Sequence, residues 1–198
     1  RYEPLTWTVL DPDEGFVMSN IAIDSQAFEN FSYYDPDSYD SAAGPAVYNS
    51  KDCKYLANDW SKSSLREWMN KDFYNTAFTA EEQDQIGKTY LDNTNPFSQK
   101  YDCAGTFDKI FIISFYDAIN SDYGFDEDGS RNDFARIRPA TDYAKCQGAD
   151  VVDVSGTLPY WWLRTTGLYG AFALGVSPNG WIVSSGGGYY NVNRTDNA

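Results

Sequence analysis

At 198 residues, 42% apolar and 17% aromatic, the chain has single-domain size and ample apolar surface for one packed core, which excludes the disordered class. The formal net charge is -14, with acids scattered from Asp11 to Asp153 and no cluster of Lys or Arg, which excludes the basic footprint that nucleic-acid binding needs. Histidine is absent, so imidazole dyads, triads and His-ligated zinc are excluded, and no apolar run is long enough for a membrane-spanning helix.

In chain order, Leu5 to Leu10 alternates in the strand sense, Asp11-Pro12-Asp13-Glu14-Gly15 turns, and Phe16 to Ile23 returns, which predicts an N-terminal hairpin or meander. Residues 29–58, rich in Tyr, Asp, Ser and Pro without a period, are expected to form a long ordered loop or insertion. Leu65, Trp68, Met69 and Phe73 share one helical face, with Ser61, Ser63 and Ser64 available as caps and Glu67 three residues after Ser64. Thr79-Ala80-Glu81-Glu82 is a second capping box, opening a short helix that stops at Gly87. The β-branched run Asp108 to Ser114 predicts a buried strand, and Thr141 caps a short helix ending at Gly148. Ser177-Pro178-Asn179-Gly180 is a hairpin turn between strands over 172–176 and 181–184. Helices in the middle with strands at both ends predict a single α+β domain over residues 1–198.

The chain opens on Arg1 without Met, a charged n-region or an apolar h-region, and reads as a trimmed chain whose export signal, where it had one, was removed. The three cysteines allow at most one internal disulfide. Cys53 and Cys103, both in polar surroundings, are the better pair; three free thiols are the alternative, and Cys146 reads as a small buried residue.

Several strings resemble one another's counterparts in a known group: Trp7-x-Val9-Leu10-Asp11, Trp60-x-x-Ser63-x-Leu65-Arg66-x-Trp68-Met69-Asn70, Asp108-Lys109-Ile110-Phe111-Ile112-Ile113-Ser114, Tyr143-Ala144-x-x-x-Gly148-Ala149 and Trp161-Trp162-Leu163-Arg164-x-x-Gly167. In this order they resemble a large bacterial family common in gut bacteria and related to the formylglycine-generating-enzyme branch of the C-type lectin fold. The resemblance spans nearly all of the chain outside 29–58. It implies a C-type-lectin-like α+β fold with two or more short helices and a small antiparallel sheet. Some of these proteins resemble the variable proteins of diversity-generating retroelements, in which a C-terminal segment is randomised on a fixed scaffold. The composition of Leu168 to Asn197 is compatible with that process, although Trp181 is not reachable from an Asn codon and is either scaffold or evidence against diversification. Members usually close on a Gly-Val-Arg-Pro-Ala-like strand, whereas this chain ends at Asn197-Ala198, so that strand is expected to be removed or replaced.

Four constellations carry the functional reading. Trp161 and Trp162, adjacent on a strand, point to opposite faces and read as buried scaffold in preference to a sugar-stacking platform, with Arg164 in an internal ion pair or capping a carbonyl. The segment 160–198 is the expected binding region, because rigid aromatics among small polar residues suit recognition at low entropic cost. Its candidate ligand-binding residues are Tyr169, Phe172, Leu174, Trp181, Ile182, Ser185, Tyr189, Tyr190, Asn191 and Asn193, with Phe172 and Ile182 alternatively facing the core across the hairpin. Asp122 to Gly129 is an acidic loop that fails the EF-hand register, since Gly129 at the sixth position puts Gly124 first and Ala135 twelfth; a structural calcium loop of irregular type is the alternative to a plain acidic turn. Glu81 with Glu82, and Asp126 with Asp128, are read as dipole partners or solvated acids in preference to a glycosidase pair. The formylglycine-generating relatives use paired cysteines, and only Cys146 lies in the C-terminal half.

The expectation is therefore a non-enzymatic recognition protein without a cofactor, at the bacterial cell surface or outside the cell, or on a phage tail. Its partner would be a protein or glycan on another cell or particle, with neither nucleic acid nor a membrane span involved. The rival reading is a carbohydrate-binding module of an exported polysaccharide system, with Trp181 as a stacking platform.

Overall fold

The structure, a computed structural model, describes residues 5–30, 33–40, 44–48, 56–151, 155–167, 172–183 and 190–191. β1 (Trp7–Asp11) and β2 (Phe16–Ser19) form the expected antiparallel hairpin, turning at Gly15, whose φ of 66° favours a residue without Cβ. Where a loop was expected over 29–58, β3 (Tyr33–Asp40) pairs with β4 (Gly44–Tyr48). Tyr favours strands, and Pro36 falls where the register shifts between Tyr34 and Tyr39, a place where a missing N–H is tolerated.

A helical run follows, from α1 (Ser64–Trp68) through a π turn (Met69–Phe73) into α2 (Tyr74–Ala77). Its cap is Ser63, whose Oγ accepts from Arg66 N at 3.2 Å. Thr79 and Glu82 form the expected capping box of α3 (Ala80–Gln85), which ends two residues before Gly87. β5 (Thr89–Leu91) pairs with β6 (Thr106–Asp108).

The strand predicted over 108–114 ends at Asp108, and the apolar run beyond it has no strand partner. Side chains satisfy its backbone instead. Lys109 N and Ile110 N donate to Asn70 Oδ1 at 2.9 and 3.3 Å, and Asn70 Nδ2 donates to Ile110 O at 2.8 Å. Arg164 supplies donors to Ile112 O at 3.1 Å and, through its backbone N, to Ile113 O at 3.0 Å. A buried backbone group needs a partner, and the partner need not be a strand. α4 (Phe115–Ala118) then opens on a Ser114–Asp117 capping box, and α5 (Asp142–Cys146) on Thr141 as predicted. Ala144, fully buried, takes the core side of α5, which leaves Cys146 exposed and not buried as expected.

The last sheet has four antiparallel strands: β7 (Trp161–Thr166), β8 (Phe172–Val176), β9 (Ile182–Val183) and β10 (Tyr190–Asn191). β7 lies along one edge of β8, with its register shifted between Trp162 and Thr166. On the other edge β9 faces Gly175 and Val176, and β10 faces Phe172 and Ala173.

Both faces of this sheet are covered. Trp161, Leu163, Leu174, Val176 and Ile182 pack with Leu10, Ile113, Ala118 and Phe125 on one side. Trp162 and Ala173 pack with Phe28, Ala57, Trp60 and Leu65 on the other. At about 1.5–3 kcal/mol for each large apolar side chain removed from water, these two clusters supply the main driving force of the domain. The result is an α+β domain of short helices and small antiparallel sheets.

Candidate functional site

The Trp161-Trp162-Leu163-Arg164 string is frame. Trp161 and Trp162 sit on opposite faces of β7, 6% and 1% exposed, and their indole N–H groups donate to Arg136 O at 3.1 Å and Gln26 O at 3.0 Å. Arg164 Nη1 pairs with Asp117 Oδ2 at 2.8 Å, the internal ion pair expected of it. Both indoles are withdrawn from the outer surface.

Of the expected ligand set, Leu174 is corrected and Ile182 takes its core-facing alternative: both belong to the first hydrophobic cluster, at 0% and 6% exposure. Membership of the C-terminal segment predicts Leu174 at the surface, but among the described residues both faces of β7 and β8 are packed. Phe172 is half-buried, and its backbone O accepts from Asn58 Nδ2 at 2.8 Å. Trp181 is 49% exposed at the end of the Ser177–Gly180 turn. Tyr190 and Asn191 lie on β10 beside Ala173 and Phe172. Tyr169, Ser185, Tyr189 and Asn193 lie outside the described residues, as does Cys53.

The turn carrying Trp181 is fixed by a residue that sequence reasoning missed. Arg136 is fully buried and acts as a peg: Nε donates to Ala118 O at 2.7 Å, Nη1 to Gly180 O at 3.0 Å, and Nη2 to Asp126 O. It also pairs with Asp133 Oδ2 at 3.4 Å, and desolvation holds its pKa below the usual guanidinium value. One side chain therefore ties α4, the acidic loop and the β8–β9 turn together. Close packing completes the joint, since Gly180 has φ of 79° and a Cβ there would lie 2.0 Å from Asp133 O. Ile182 N donates to Gly129 O at 2.7 Å and Asp133 N to Asn179 O at 3.2 Å.

Beside this joint is a shallow depression floored by Phe115 and Ile182 and walled by Glu127, Asp128, Gly129 and Ser130. Aromatic rings continue from it: Phe115 meets Phe97 at 5.1 Å and Tyr116 at 5.9 Å between centroids. Phe97 and Tyr116 are 42% and 55% exposed, enough to offer ring faces to a partner. The sequence signal is slight: Phe115 and Tyr116 are adjacent just inside the Ser114–Asp117 box, and Phe97 is far from it along the chain.

The acidic loop uses its carboxylates on itself. Asp126 Oδ1 accepts from Asp128 N at 2.7 Å, Asp128 Oδ1 from Ser130 N and Oγ at 2.9 and 2.6 Å, and Glu127 Oε1 from Ser121 Oγ at 2.9 Å. The Ser130 hydroxyl and amide hold the Asp128 carboxyl below its usual pKa. Among the described residues no three His, Cys, Asp or Glu side chains converge as ligands of one metal ion. Cys103 is a free thiol, partly exposed, whose pKa is pushed well up by burial and then by the Asp59 carboxylate. Among the described residues, no helix is long and apolar enough to cross a membrane.

A family model described as "Domain of unknown function (DUF6273)" matches residues 22–195. No curated protein and no solved structure matches the chain.

Proposed function

We propose that this chain, which belongs to the DUF6273 family, is a non-enzymatic recognition protein: a C-type-lectin-like frame that displays its C-terminal segment and the β8–β9 turn to a ligand. One observation carries the reading. Trp181 is half exposed on a turn locked by the Arg136 peg, and the next residue, Ile182, lines an open depression with Phe115 and the carboxylates of Glu127 and Asp128. A rigid aromatic held in place loses little entropy on binding. The frame beneath is insulated from the surface, because both sheet faces are packed, so the exposed positions can vary without loss of the fold. That separation supports a variable, retroelement-diversified binding segment. The lack of histidine supports a binding role over imidazole chemistry. The partner would be a protein or glycan on another cell or particle, met at the bacterial surface, outside the cell or through a phage tail.

A second reading rests on the same indole. An exposed Trp face offers ring stacking to a pyranose, and the carboxylates and Ser130 hydroxyl of the depression lined by the neighbouring Ile182 offer acceptors for sugar hydroxyls, which favours a carbohydrate-binding module. A glycan array and capture of host-cell-surface proteins, each run with wild type and Trp181→Ala, test both readings. Saturable binding lost in Trp181→Ala with an unchanged melting temperature is expected. Protein signal selects the first reading, and glycan signal assigns the ligand to a sugar, as the second reading requires and the first allows. Binding that survives the substitution overturns the assignment of the surface.

A further inference from the structure

A second cavity lies away from that surface. It is bounded by the β1–β2 hairpin, the chain from Ile21 to Gln26, α1 with its π turn, and the stretch 110–113, and it measures about 200 Å³. Its wall is apolar except at a few points, chief among them Arg138 and Asp24.

Arg138 is an incompletely satisfied cation. Nη1 donates to Ala135 O at 2.7 Å and Ile137 O at 2.9 Å, which anchors the head group. Nη2 has the Met18 thioether at 3.2 Å, a weak acceptor, and Nε is buried with no hydrogen-bond partner. Among the described residues no carboxylate reaches ion-pairing distance of it. Asp133, whose field favours its charge, is already engaged by Arg136 at 3.4 Å. Desolvation lowers the pKa of Arg138 accordingly. A buried donor left unmade is costly, and a cation without a counter-ion more so. The under-bonded edge, covered by Met18, is formed by Nε and Nη2, the side of a guanidinium that takes a carboxylate with two parallel hydrogen bonds. Asp24 lies on the same cavity with its Oδ1 accepting from Ser25 N at 2.7 Å, so an anionic group is accommodated at the Arg138 end alone.

We propose that this cavity binds a small apolar carboxylic acid, its chain or ring among Trp68, Met69, Phe73 and Phe111 and its carboxylate on the Nε and Nη2 edge of Arg138. Met18 swings aside to uncover that edge, giving up its thioether contact. The volume, below the roughly 300 Å³ at which drug-sized pockets begin, restricts the ligand to a short alkyl chain or a single ring.

Octanoate and its uncharged counterpart octanamide are the probes, titrated calorimetrically into the full chain below micellar concentration. Octanoate is expected to bind saturably at one site, with octanamide at least about tenfold weaker, a difference of about 1.4 kcal/mol. Both methionines of the chain, Met18 and Met69, line the cavity, so carbon-13 methyl labelling of methionine reports occupancy there and nowhere else. Arg138→Gln is expected to lose octanoate affinity at least about tenfold. Val17→Trp, at an exposed position on the rim, is expected to block binding with the melting temperature unchanged. Equal affinity for octanoate and octanamide, unshifted methionine methyls, or undiminished binding by Arg138→Gln overturns the proposal, as does a lack of saturable binding. Should Arg138→Gln fail to fold, the amide comparison and Val17→Trp decide.

Discussion

Replacing Arg164 with Met tests whether the Trp-Trp-Leu-Arg string is frame. Arg164 is 5% exposed, pairs with Asp117 at 2.8 Å, and donates to Asn93 Oδ1 at 3.2 Å and Ile112 O at 3.1 Å. Removing one partner of a buried pair costs about 3–5 kcal/mol. The Asp117 side chain is 23% exposed and keeps the Ser114 N–H and hydroxyl at 2.8 Å, which places the ion-pair loss near the lower end. Ile112 O and Asn93 Oδ1 then lose donors at about 1 kcal/mol each, while the apolar Met side chain recovers part of the packing. The expected loss is about 4 kcal/mol, and for a chain of this length that is a fall in melting temperature of about 8–16 °C. Urea denaturation followed by near-ultraviolet circular dichroism measures it. Asp117→Asn keeps an acceptor for the α4 cap, so the cycle with Arg164→Met isolates the pair, with an expected coupling of about 2 kcal/mol. A melting point lowered by less than about 3 °C, or a coupling near zero, refutes the account.

Gly180→Ala meets a positive φ and a carbonyl at 2.0 Å; a loss of more than about 2 kcal/mol in urea titration is expected, and wild-type stability would remove the joint between turn and acidic loop. Leu174→Ala opens a cavity beneath the sheet and is expected to cost about 2–5 kcal/mol, whereas a surface residue would cost little in the same titration. Burial raises the Asp24 carboxyl above 3.8, so its contribution to stability is present below that value and is lost as pH rises through the raised one. Asp24→Asn is therefore expected to gain on wild type in melting temperature from acid to neutral pH, and a constant difference across the series contradicts the burial. Native thiol labelling at mildly alkaline pH, read by peptide mass, is expected to modify exposed Cys146 and spare Cys103, whose thiol burial holds protonated.

What could be read from the sequence was local. Thr79, Thr141 and the Ser177–Gly180 turn each act through groups within a few residues, and each does what its residue type predicts. What could not be read was supplied from a distance. The run from Lys109 to Ile113 has strand composition, but Asn70 and Arg164 take its backbone hydrogen bonds, and no window around residue 110 contains either. Leu174 was misplaced for a related reason, because its side of β8 is covered by Leu10 and Phe125. In the candidate surface, Trp181 could be read from its place beside a turn, while Arg136 and the Phe97, Phe115 and Tyr116 rings could not. A buried arginine bonded to three carbonyls has no mark in its own neighbourhood that separates it from a solvated one.

The covering of both sheet faces also limits where a partner can touch the protein. β8 is flanked by β7 on one edge and by β9 and β10 on the other, so neither its faces nor its edges are free to add a ligand strand. Among the described residues around this sheet, the aromatic side chains left for contact lie on turns and outside its strands, such as Trp181, Phe97 and Tyr116. Stability and recognition then reside in separate residue sets, joined at Arg136 and Gly180. Trp181→Ala is expected to change binding with stability intact, Leu174→Ala to change stability first, and Gly180→Ala to change both, because it moves the indole and opens the packed joint together. Equal losses of binding and stability for all three would mean that no such division exists, and the variable-surface reading would lose its physical basis.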